Sequence, residues 1–348
     1  MTYAKEITRN IYMISVPQVY DHPNTAHYLI VGDKIALIEA AFVGSLPYLE
    51  KALLEVGVRP EDIDYVIATH FHIDHTGAIG ALLMKAPKAK VVINYRNYKV
   101  LTDPARHVRG AQLGFGYATY KLFGTPLRMI GGRVDVTEMK AVVPVPLDRI
   151  MTVTGDTEID LGKNMVLKLI YTPGHEIDHT SIYETHTKTL FPSEAVSVYN
   201  SDELRAYLPP ASGGPYDVPS ARDSILKLKR LSVDRILLPH FGEVSDVSPQ
   251  EFLDKSLYYL DYWYAAIDLM LKYNYGYYRM LDYMIRKLLE MAGYRSLDQL
   301  HEYFRKFWFA YLPRLTLMGY LGYLLGFPPP TYKPSDEALN DVKRDLAR

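Results

Sequence analysis

A short histidine-rich segment after a strand-like run constrains the fold more than any other feature of this chain. Residues 65–68 read Tyr-Val-Ile-Ala, and residues 69–77 read Thr-His-Phe-His-Ile-Asp-His-Thr-Gly. Its three imidazoles and one carboxylate are donors that suit zinc and other borderline divalent ions. We therefore expect a metal site at the end of a buried strand.

The spacing of these side chains predicts two neighbouring ions. In an extended segment, residues two apart point to the same side, so His70 and His72 can converge on one ion. Asp74 and His75 lie on the turn into a helix that we expect to begin near Gly77, and they can reach a second ion.

Further candidate ligands follow other short apolar runs, each after a residue that breaks a strand. They are His175 in Thr-Pro-Gly-His, Glu194 in Pro-Ser-Glu and His240 in Pro-His-Phe-Gly. Two coordination shells need such additional ligands, because the first motif alone cannot complete both.

The motifs H-x-H-x-D-H, T-P-G-H, an acid after Leu-Phe and P-H-x-G occur in the order that resembles the metallo-β-lactamase superfamily of metallohydrolases. The resemblance implies an α/β fold, the αβ/βα four-layer sandwich. It also implies two divalent ions per chain, zinc first, with iron, manganese or cobalt as alternatives. The implied ligands are His70, His72 and His175 for one ion, Asp74, His75 and His240 for the other, and Glu194 as the bridge.

Glu194 departs from the family pattern, in which the bridging acid is usually aspartate. The additional methylene can lengthen the metal separation, change the preferred ion or weaken one site. We retain Glu194 as an expected ligand.

Residues 175–179, His-Glu-Ile-Asp-His, also match the H-E-x-x-H motif of zincin proteases. That motif requires a helix, whereas Pro173 and Gly174 precede it and a strand-like pattern resumes at Thr180. We therefore treat a zinc protease as a remote alternative and expect His179 beside the ligands or in the cleft.

Composition limits the partners. The chain has 39 basic and 40 acidic residues and no cysteine. It therefore lacks the surplus of basic residues that would indicate a nucleic-acid partner, and it cannot form disulfides. The N-terminus has no apolar leader, which predicts a cytoplasmic protein. The apolar stretch 315–327 is shorter than the ~20 residues of a bilayer span, so we expect no membrane partner.

Two parts are expected along the chain. Residues 1–247 form the catalytic domain, with strands over 11–16, 26–31, 34–39 and 65–69 and a helix over 45–56. Residues 96–148 are either an insertion flanking the cleft or a surface insertion without catalytic use. Residues 248–348 form a helical, aromatic-rich extension whose first helix begins after Ser248 and ends near Gly276. This extension either covers the cleft or makes a homo-oligomer contact.

Two closely spaced ions lower the pKa of a shared water and supply a bridging hydroxide, which predicts a hydrolase acting on a small molecule. Asp74 is expected to orient the nucleophile and to pass its proton to the leaving group. Tyr199 is expected to donate to the oxyanion.

The first choice of substrate class is a lactone or small neutral ester, with phosphotriesterase side activity. The main alternative is a glyoxalase II-like thioester hydrolase, in which Lys272, Arg279 and Arg286 would hold an anionic moiety. A flavin-linked di-iron reductase is disfavoured, because such relatives usually carry glutamate where His72 stands. A non-catalytic assembly module is the remaining alternative.

Overall fold

The computed structural model describes residues 2–16, 25–105, 107–108, 142–211, 216–326 and 331–347. The chain divides into two compact units. The first unit comprises residues 1–171, 178–191 and 239–242, and the second comprises residues 172–177, 192–238 and 243–348. The expected domain boundary at residue 247 stays a prediction, and most of the expected insertion 96–148 lies outside the described residues.

A seven-stranded sheet forms much of the first unit. Its strands, in spatial order, are β1 (Ala4–Thr8), β2 (Ile11–Val16), β3 (Thr25–Val31), β4 (Ile35–Ile38), β5 (Tyr65–Ile67), β6 (Lys90–Asn94) and β7 (Ile150–Val153). β1 to β4 are antiparallel to one another, whereas β4 to β7 are parallel. Because parallel strands end at one edge, the segments that follow β4, β5 and β6 meet there.

Four helices in the described residues accompany this sheet: α1 (Leu46–Glu55), α2 (Ile73–Thr76), α3 (Ile79–Leu83) and α4 (Tyr98–Thr102). α1 buries Leu46, Leu49 and Leu53, which recur at helical spacing. They belong to one apolar cluster with Leu37 and Val66 of the sheet. Removal of this apolar surface from water is the main stabilising term for the half of the unit that carries the histidine motif.

A second group of strands in the first unit forms an antiparallel meander. It contains β8 (Thr157–Asp160), β9 (Val166–Tyr171), β10 (Thr180–Glu184) and β11 (Thr189–Phe191). The Thr180 amide donates to the Thr69 carbonyl at 2.8 Å. This bond joins the start of β10 to the segment that carries the histidines.

The strands expected over 11–16, 26–31, 34–39 and 65–69 and the helix over 45–56 are confirmed within two residues at each end. The helix expected near Gly77 begins earlier, because α2 starts at Ile73 and α3 follows at Ile79. Asp74 and His75 therefore lie on a helical turn of their own.

The described part of the second unit is mainly helical. Its elements are α5 (Val218–Leu228), β12 (Arg235–Leu238), α6 (Pro249–Lys272), α7 (Tyr277–Met291), α8 (Phe309–Leu324) and α9 (Asp336–Leu346), and a two-residue strand, β13 (Gly242–Glu243), begins at the unit boundary. α6 starts as expected, with the Ser248 hydroxyl accepting from the Glu251 amide at 3.2 Å. The expected stop at Gly276 is wrong: α6 ends at Lys272, and Gly276 precedes α7. None of the helices described here is long and apolar enough to cross a membrane.

Tyrosine hydroxyls and carboxylates fasten α9 to its neighbours. Tyr262 is buried, and its hydroxyl donates to the Asp345 carboxylate at 2.7 Å and lies 2.6 Å from the Tyr283 hydroxyl. Lys287 Nζ lies 2.8 Å from the same carboxylate. These contacts replace the hydrogen bonds to water that the hydroxyls, the ammonium group and the carboxylate lose on folding.

We expect Tyr262→Phe to lower the free energy of unfolding by about 1–3 kcal/mol, because the hydroxyl bonds a charged partner and a second hydroxyl in a partly buried network. Urea denaturation measures the change. Tyr278, whose ring is 78% exposed, provides the matched control. A Tyr262→Phe variant as stable as Tyr278→Phe would show that these hydrogen bonds contribute nothing net.

Candidate metal centre

The parallel pairing of β4 and β5 brings two segments together at one sheet edge. Glu39 follows β4 directly, and its amide donates to the Ile67 carbonyl at the end of β5 at 2.9 Å. The next amide, of Ala40, donates to the His75 carbonyl at 2.9 Å. Backbone hydrogen bonds therefore fix the loop after β4 against the histidine motif.

Asp74, His75 and His240 form one group of candidate ligands within the first unit. Asp74 Oδ2 lies 3.5 Å from His75 Nε2 and 3.7 Å from His240 Nε2. Ligands at ~2.0–2.1 Å from a tetrahedral zinc ion are about 3.4 Å from each other. The donor set and its separations therefore fit a single divalent ion.

Backbone contacts in the first unit place His240. The Ala26 amide donates to the Pro239 carbonyl at 2.7 Å, and Thr25 forms an isolated bridge with His240. β3 therefore positions His240, a candidate ligand that is more than 160 residues away from Asp74 in the sequence. This is why His240 and Asp74 can meet despite their separation in sequence.

Glu39 is a site residue that the sequence analysis missed. It is 2% exposed, its Oε1 accepts from the Thr69 hydroxyl at 2.7 Å, and the same oxygen lies 2.9 Å from His75 Nδ1. An acidic residue directly after an apolar strand was the available signal, since the same pattern identified Glu194.

The contacts of Glu39 and Thr69 orient the rings of His70 and His75. Thr69 donates its one hydroxyl hydrogen to Glu39, so its oxygen can only accept from His70 Nδ1, which lies 3.1 Å away. His75 Nδ1 likewise faces Glu39, at 2.9 Å, so Nε2 is the candidate ligand atom of both rings. His70 Nε2 lies 3.0 Å from His72 Nδ1. A carboxylate behind the imidazole is the arrangement that orients metal-binding histidines.

Electrostatics keep Glu39 ionised. Burial raises the pKa of its carboxyl, but the charge and hydrogen bond of His75, with smaller effects from His27 and Thr69, lower it to about 2. His27, also missed by the sequence analysis, is buried, and burial lowers its pKa to about 4 against the opposing charge of Glu39. At neutral pH, Glu39 is therefore ionised and the neighbouring imidazole of His27 is neutral.

Unusual backbone conformations occur next to these residues. Glu39 has a φ of 64° and Ala41 a φ of 55°, and Phe241, directly after His240, has a φ of 69°. Left-handed conformations of non-glycine residues cost on the order of 1–3 kcal/mol each and persist where surrounding contacts hold them. Such strain is common at functional sites, and here it accompanies the conformation that brings the Glu39 side chain to His75.

His175 and Glu194 lie together in the second unit. His175 Nδ1 donates to the Pro210 carbonyl, and its Nε2 lies 2.9 Å from Glu194 Oε2. Burial lowers the pKa of His175, but the charge and hydrogen bond of Glu194 outweigh it and raise that pKa to about 9. Gly174 precedes His175 with a φ of 138°, and a Cβ there would collide with the Ala221 backbone. Without an ion, His175 Nε2 therefore carries a proton towards the Glu194 carboxylate at neutral pH, and these two atoms are candidate ligands of one ion that would displace this proton.

The zincin arrangement is not formed. Residues 175–179, all within the described ranges, contain bends and a turn but no helix, so the two histidines of H-E-x-x-H do not lie one helical turn apart. His179 instead is fully buried, with its ring centroid 5.2 Å from that of His70. It lies beside an expected ligand, as the sequence analysis suggested.

Tyr199 lies in the second unit, where its hydroxyl donates to the Asp246 carboxylate at 2.7 Å. Its ring is buried against Tyr207, with 4.6 Å between centroids. Burial and the Asp246 carboxylate raise the pKa of Tyr199 well above its usual value. The hydroxyl hydrogen is thus already engaged, and the expected donation to an oxyanion stays a prediction that requires this bond to break.

Comparison with known proteins agrees with this geometry. Residues 21–240 match the family model described as the metallo-beta-lactamase superfamily. The chain is 26% identical to the metallo-beta-lactamase fold-containing protein ST1585 of Sulfurisphaera tokodaii over 236 residues, which cover 66% of this chain and 77% of ST1585. The solved structure of ST1585 has a TM-score of 0.53 at 24% identity, covering 70% of this chain and 84% of that one.

Two further relatives extend the comparison. The crystal structure of TTHA1429, a metallo-beta-lactamase family protein from Thermus thermophilus, covers 91% of this chain and 94% of its own with a TM-score of 0.60 at 18% identity. The N-acyl homoserine lactonase of Bacillus cereus is 24% identical over 191 residues, which cover 55% of this chain and 59% of the lactonase. The chain therefore belongs to the metallo-β-lactamase superfamily and has its αβ/βα fold, followed by C-terminal helices.

Proposed function

We propose that this protein is a dinuclear metal-dependent hydrolase of ester-type substrates, with a lactone as the first choice. The triad of Asp74, His75 and His240, with Glu39 behind His75, carries the proposal. The proposed ligands are the predicted set of His70, His72, Asp74, His75, His175, Glu194 and His240. Zinc is the preferred ion because imidazole and carboxylate are its usual ligands outside thiolate sites.

Divalent ions at such a site, when bound, supply Lewis-acid polarisation and a water nucleophile with a pKa near 7. Within the described residues, both contacts of Asp74 with the triad histidines use Oδ2. Its Oδ1 is therefore the atom that we assign to accept a proton from the attacking water and return it to the leaving group. The contact of Glu39 with Nδ1 holds the His75 ring in one orientation, and the burial of Glu39 keeps bulk water from this contact.

The choice of a lactone draws on two observations. One relative is an N-acyl homoserine lactonase, and the balanced charge of 39 basic and 40 acidic residues offers no general attraction for polyanions. Thioester hydrolysis is the second candidate, because the same nucleophile attacks a thioester carbonyl. Phosphotriester hydrolysis would be a side activity of the same groups.

The decisive experiment measures proton release from an unsubstituted aliphatic lactone by metal-reconstituted protein, using a pH indicator. Chelator-treated protein is the control, and metal content is determined on each sample. We expect release that disappears on chelation and returns when zinc is restored. No release by protein with its metals demonstrably bound would reject the lactonase, and a thioester and a phosphotriester offered in parallel would then identify the class.

A further inference from the structure

Arg96 lies between two tyrosine rings in the first unit. Its guanidinium carbon is 4.7 Å from the ring centroid of Tyr95 and 4.8 Å from that of Tyr171. The side chain is solvent-exposed, and no carboxylate in the described residues forms an ion pair with it. The two cation–π contacts restrain the guanidinium, which keeps N–H groups that can donate to a ligand. The result is a preoriented cation without an acidic partner in the described residues.

The register of the first sheet places this cation beside the histidine motif. β5 and β6 pair in parallel as far as Ile67 opposite Val92, and the Ala68 amide still donates to the Val92 carbonyl at 2.9 Å. Neighbouring strands are ~4.8 Å apart, and the segments that follow β5 and β6 carry His70 and Arg96. The Arg96 side chain therefore starts near the edge from which the candidate ligands project.

The second group of strands leads to the same place. Tyr171 pairs with Thr180, whose amide donates to the Thr69 carbonyl, directly before His70. Tyr171 is thus about two strand spacings, roughly 10 Å, from the motif. Both paths through the first unit place Arg96 and Tyr171 near the segment that carries His70.

Two polar neighbours complete the surroundings of Arg96. Asn94 is 1% exposed, its Oδ1 accepts from the Arg96 amide at 3.1 Å, and its Nδ2 has no acceptor among the described residues. This bond fixes the chain between the strand and Arg96 and leaves a buried donor unsatisfied. The nearby Asp156 carboxylate accepts from the Tyr171 amide at 2.9 Å rather than pairing with Arg96.

We propose that Arg96, flanked by Tyr95 and Tyr171, binds a carboxylate that the substrate carries away from its scissile ester. The planar guanidinium presents two parallel N–H donors that match the two oxygens of a carboxylate. This inference rests on the proposed hydrolase function and narrows its substrate class. It favours an ester or lactone with an acidic substituent over the neutral esters that overall composition suggests.

The test compares two esters with the same leaving group, mono-4-nitrophenyl adipate and its neutral methyl ester. A charge-assisted hydrogen bond contributes ~1.5–3 kcal/mol, and exposure places Arg96 at the lower end. We expect Arg96→Gln to reduce kcat/KM for the acid about tenfold, mainly through KM, and to leave the neutral ester unchanged. Arg230 is the matched control, because it is an exposed arginine in the second unit.

The outcomes separate the subsite from the proposed function. An equal loss for both esters, or an unchanged preference in Arg96→Gln, would overturn the subsite. If neither ester is hydrolysed by wild-type protein, the proposed ester hydrolase fails, and calorimetric titration with adipate and adipamide tests the subsite directly. Weaker adipate binding by Arg96→Gln alone would support it. Equal binding by wild type, Arg96→Gln and Arg230→Gln would overturn it.

Discussion

Replacing His240 with alanine is expected to lower turnover of the lactone by about a thousandfold or more. His240 Nε2 lies 3.7 Å from Asp74 Oδ2 and is one of three donors in the triad. Polarisation by a bound ion is worth several kcal/mol of transition-state stabilisation, and each 1.36 kcal/mol changes the rate tenfold. The change removes a partly exposed side chain, so we expect the fold to remain intact.

Metal analysis should accompany the kinetics of His240→Ala. We expect the bound zinc to fall from two ions per chain towards one, with an unchanged far-ultraviolet circular dichroism spectrum. His186→Ala is the matched control, because His186 is an exposed histidine in the turn between β10 and β11. Wild-type turnover and metal content in His240→Ala would remove His240 from the site.

The ligand motifs were readable from sequence because each follows a recognisable strand. Asp74, His75 and His240 were predicted to serve one ion, and the structure brings these three together in the first unit. Glu39 has the same local signal but was overlooked. The role of Glu39 depends on its contact with Thr69, which the parallel pairing of β4 with β5 creates. The local sequence pattern does not reveal which strands pair.

Two helix boundaries show where local reading fails. The first turn of α2 forms because the His72 carbonyl accepts from the Thr76 amide and hydroxyl, each at 3.0 Å. These hydrogen bonds close a helical turn before the glycine that was expected to mark the helix start. After α6, Asn274 rather than the expected Gly276 takes the left-handed conformation that is common at helix ends, with a φ of 57°.

Arg96 illustrates the limit of composition as a guide to substrate. In sequence it is one of several basic residues at the start of an expected insertion, and the net charge of -1 favours no ligand class. Its position between Tyr95 and Tyr171 depends on strands that are far apart in the chain. Tertiary placement therefore decides whether a single arginine is a recognition group or a solvated surface charge.

Glu39→Gln is expected to destabilise the metal-free protein by about 3 kcal/mol at neutral pH. The carboxylate is fully buried, accepts from the Thr69 hydroxyl and lies 2.9 Å from His75 Nδ1. Breaking such a buried charged contact costs about 3–5 kcal/mol, less what the glutamine oxygen recovers. In the variant, the amide nitrogen of glutamine would face either the Thr69 hydroxyl or His75 Nδ1, and unlike the carboxylate oxygen that it replaces it cannot accept a hydrogen bond from either. We also expect zinc affinity to fall about 10–100-fold, because the ring of His75 loses its orienting carboxylate.

The pH dependence of stability distinguishes charge from packing as the cause. The pKa of Glu39 is about 2 in the folded protein, below its ordinary value of 4.5. Its ionisation therefore stabilises the fold fully above about pH 4.5, and this contribution declines as the pH falls towards 2. The stability difference between wild type and Glu39→Gln should accordingly be larger at pH 7 than at pH 3.

Urea denaturation of chelator-treated protein at pH 7 and pH 3 measures both effects. Glu158→Gln is the control, because Glu158 is an exposed partner of Lys168 at 3.1 Å and such pairs contribute about 0–1 kcal/mol. We expect Glu158→Gln to change stability little at either pH. A Glu39→Gln variant with the same small effect would contradict the role of Glu39 as the anchor of Thr69 and His75. A large loss that is equal at both pH values would attribute the destabilisation to packing and leave the charge without a part in it.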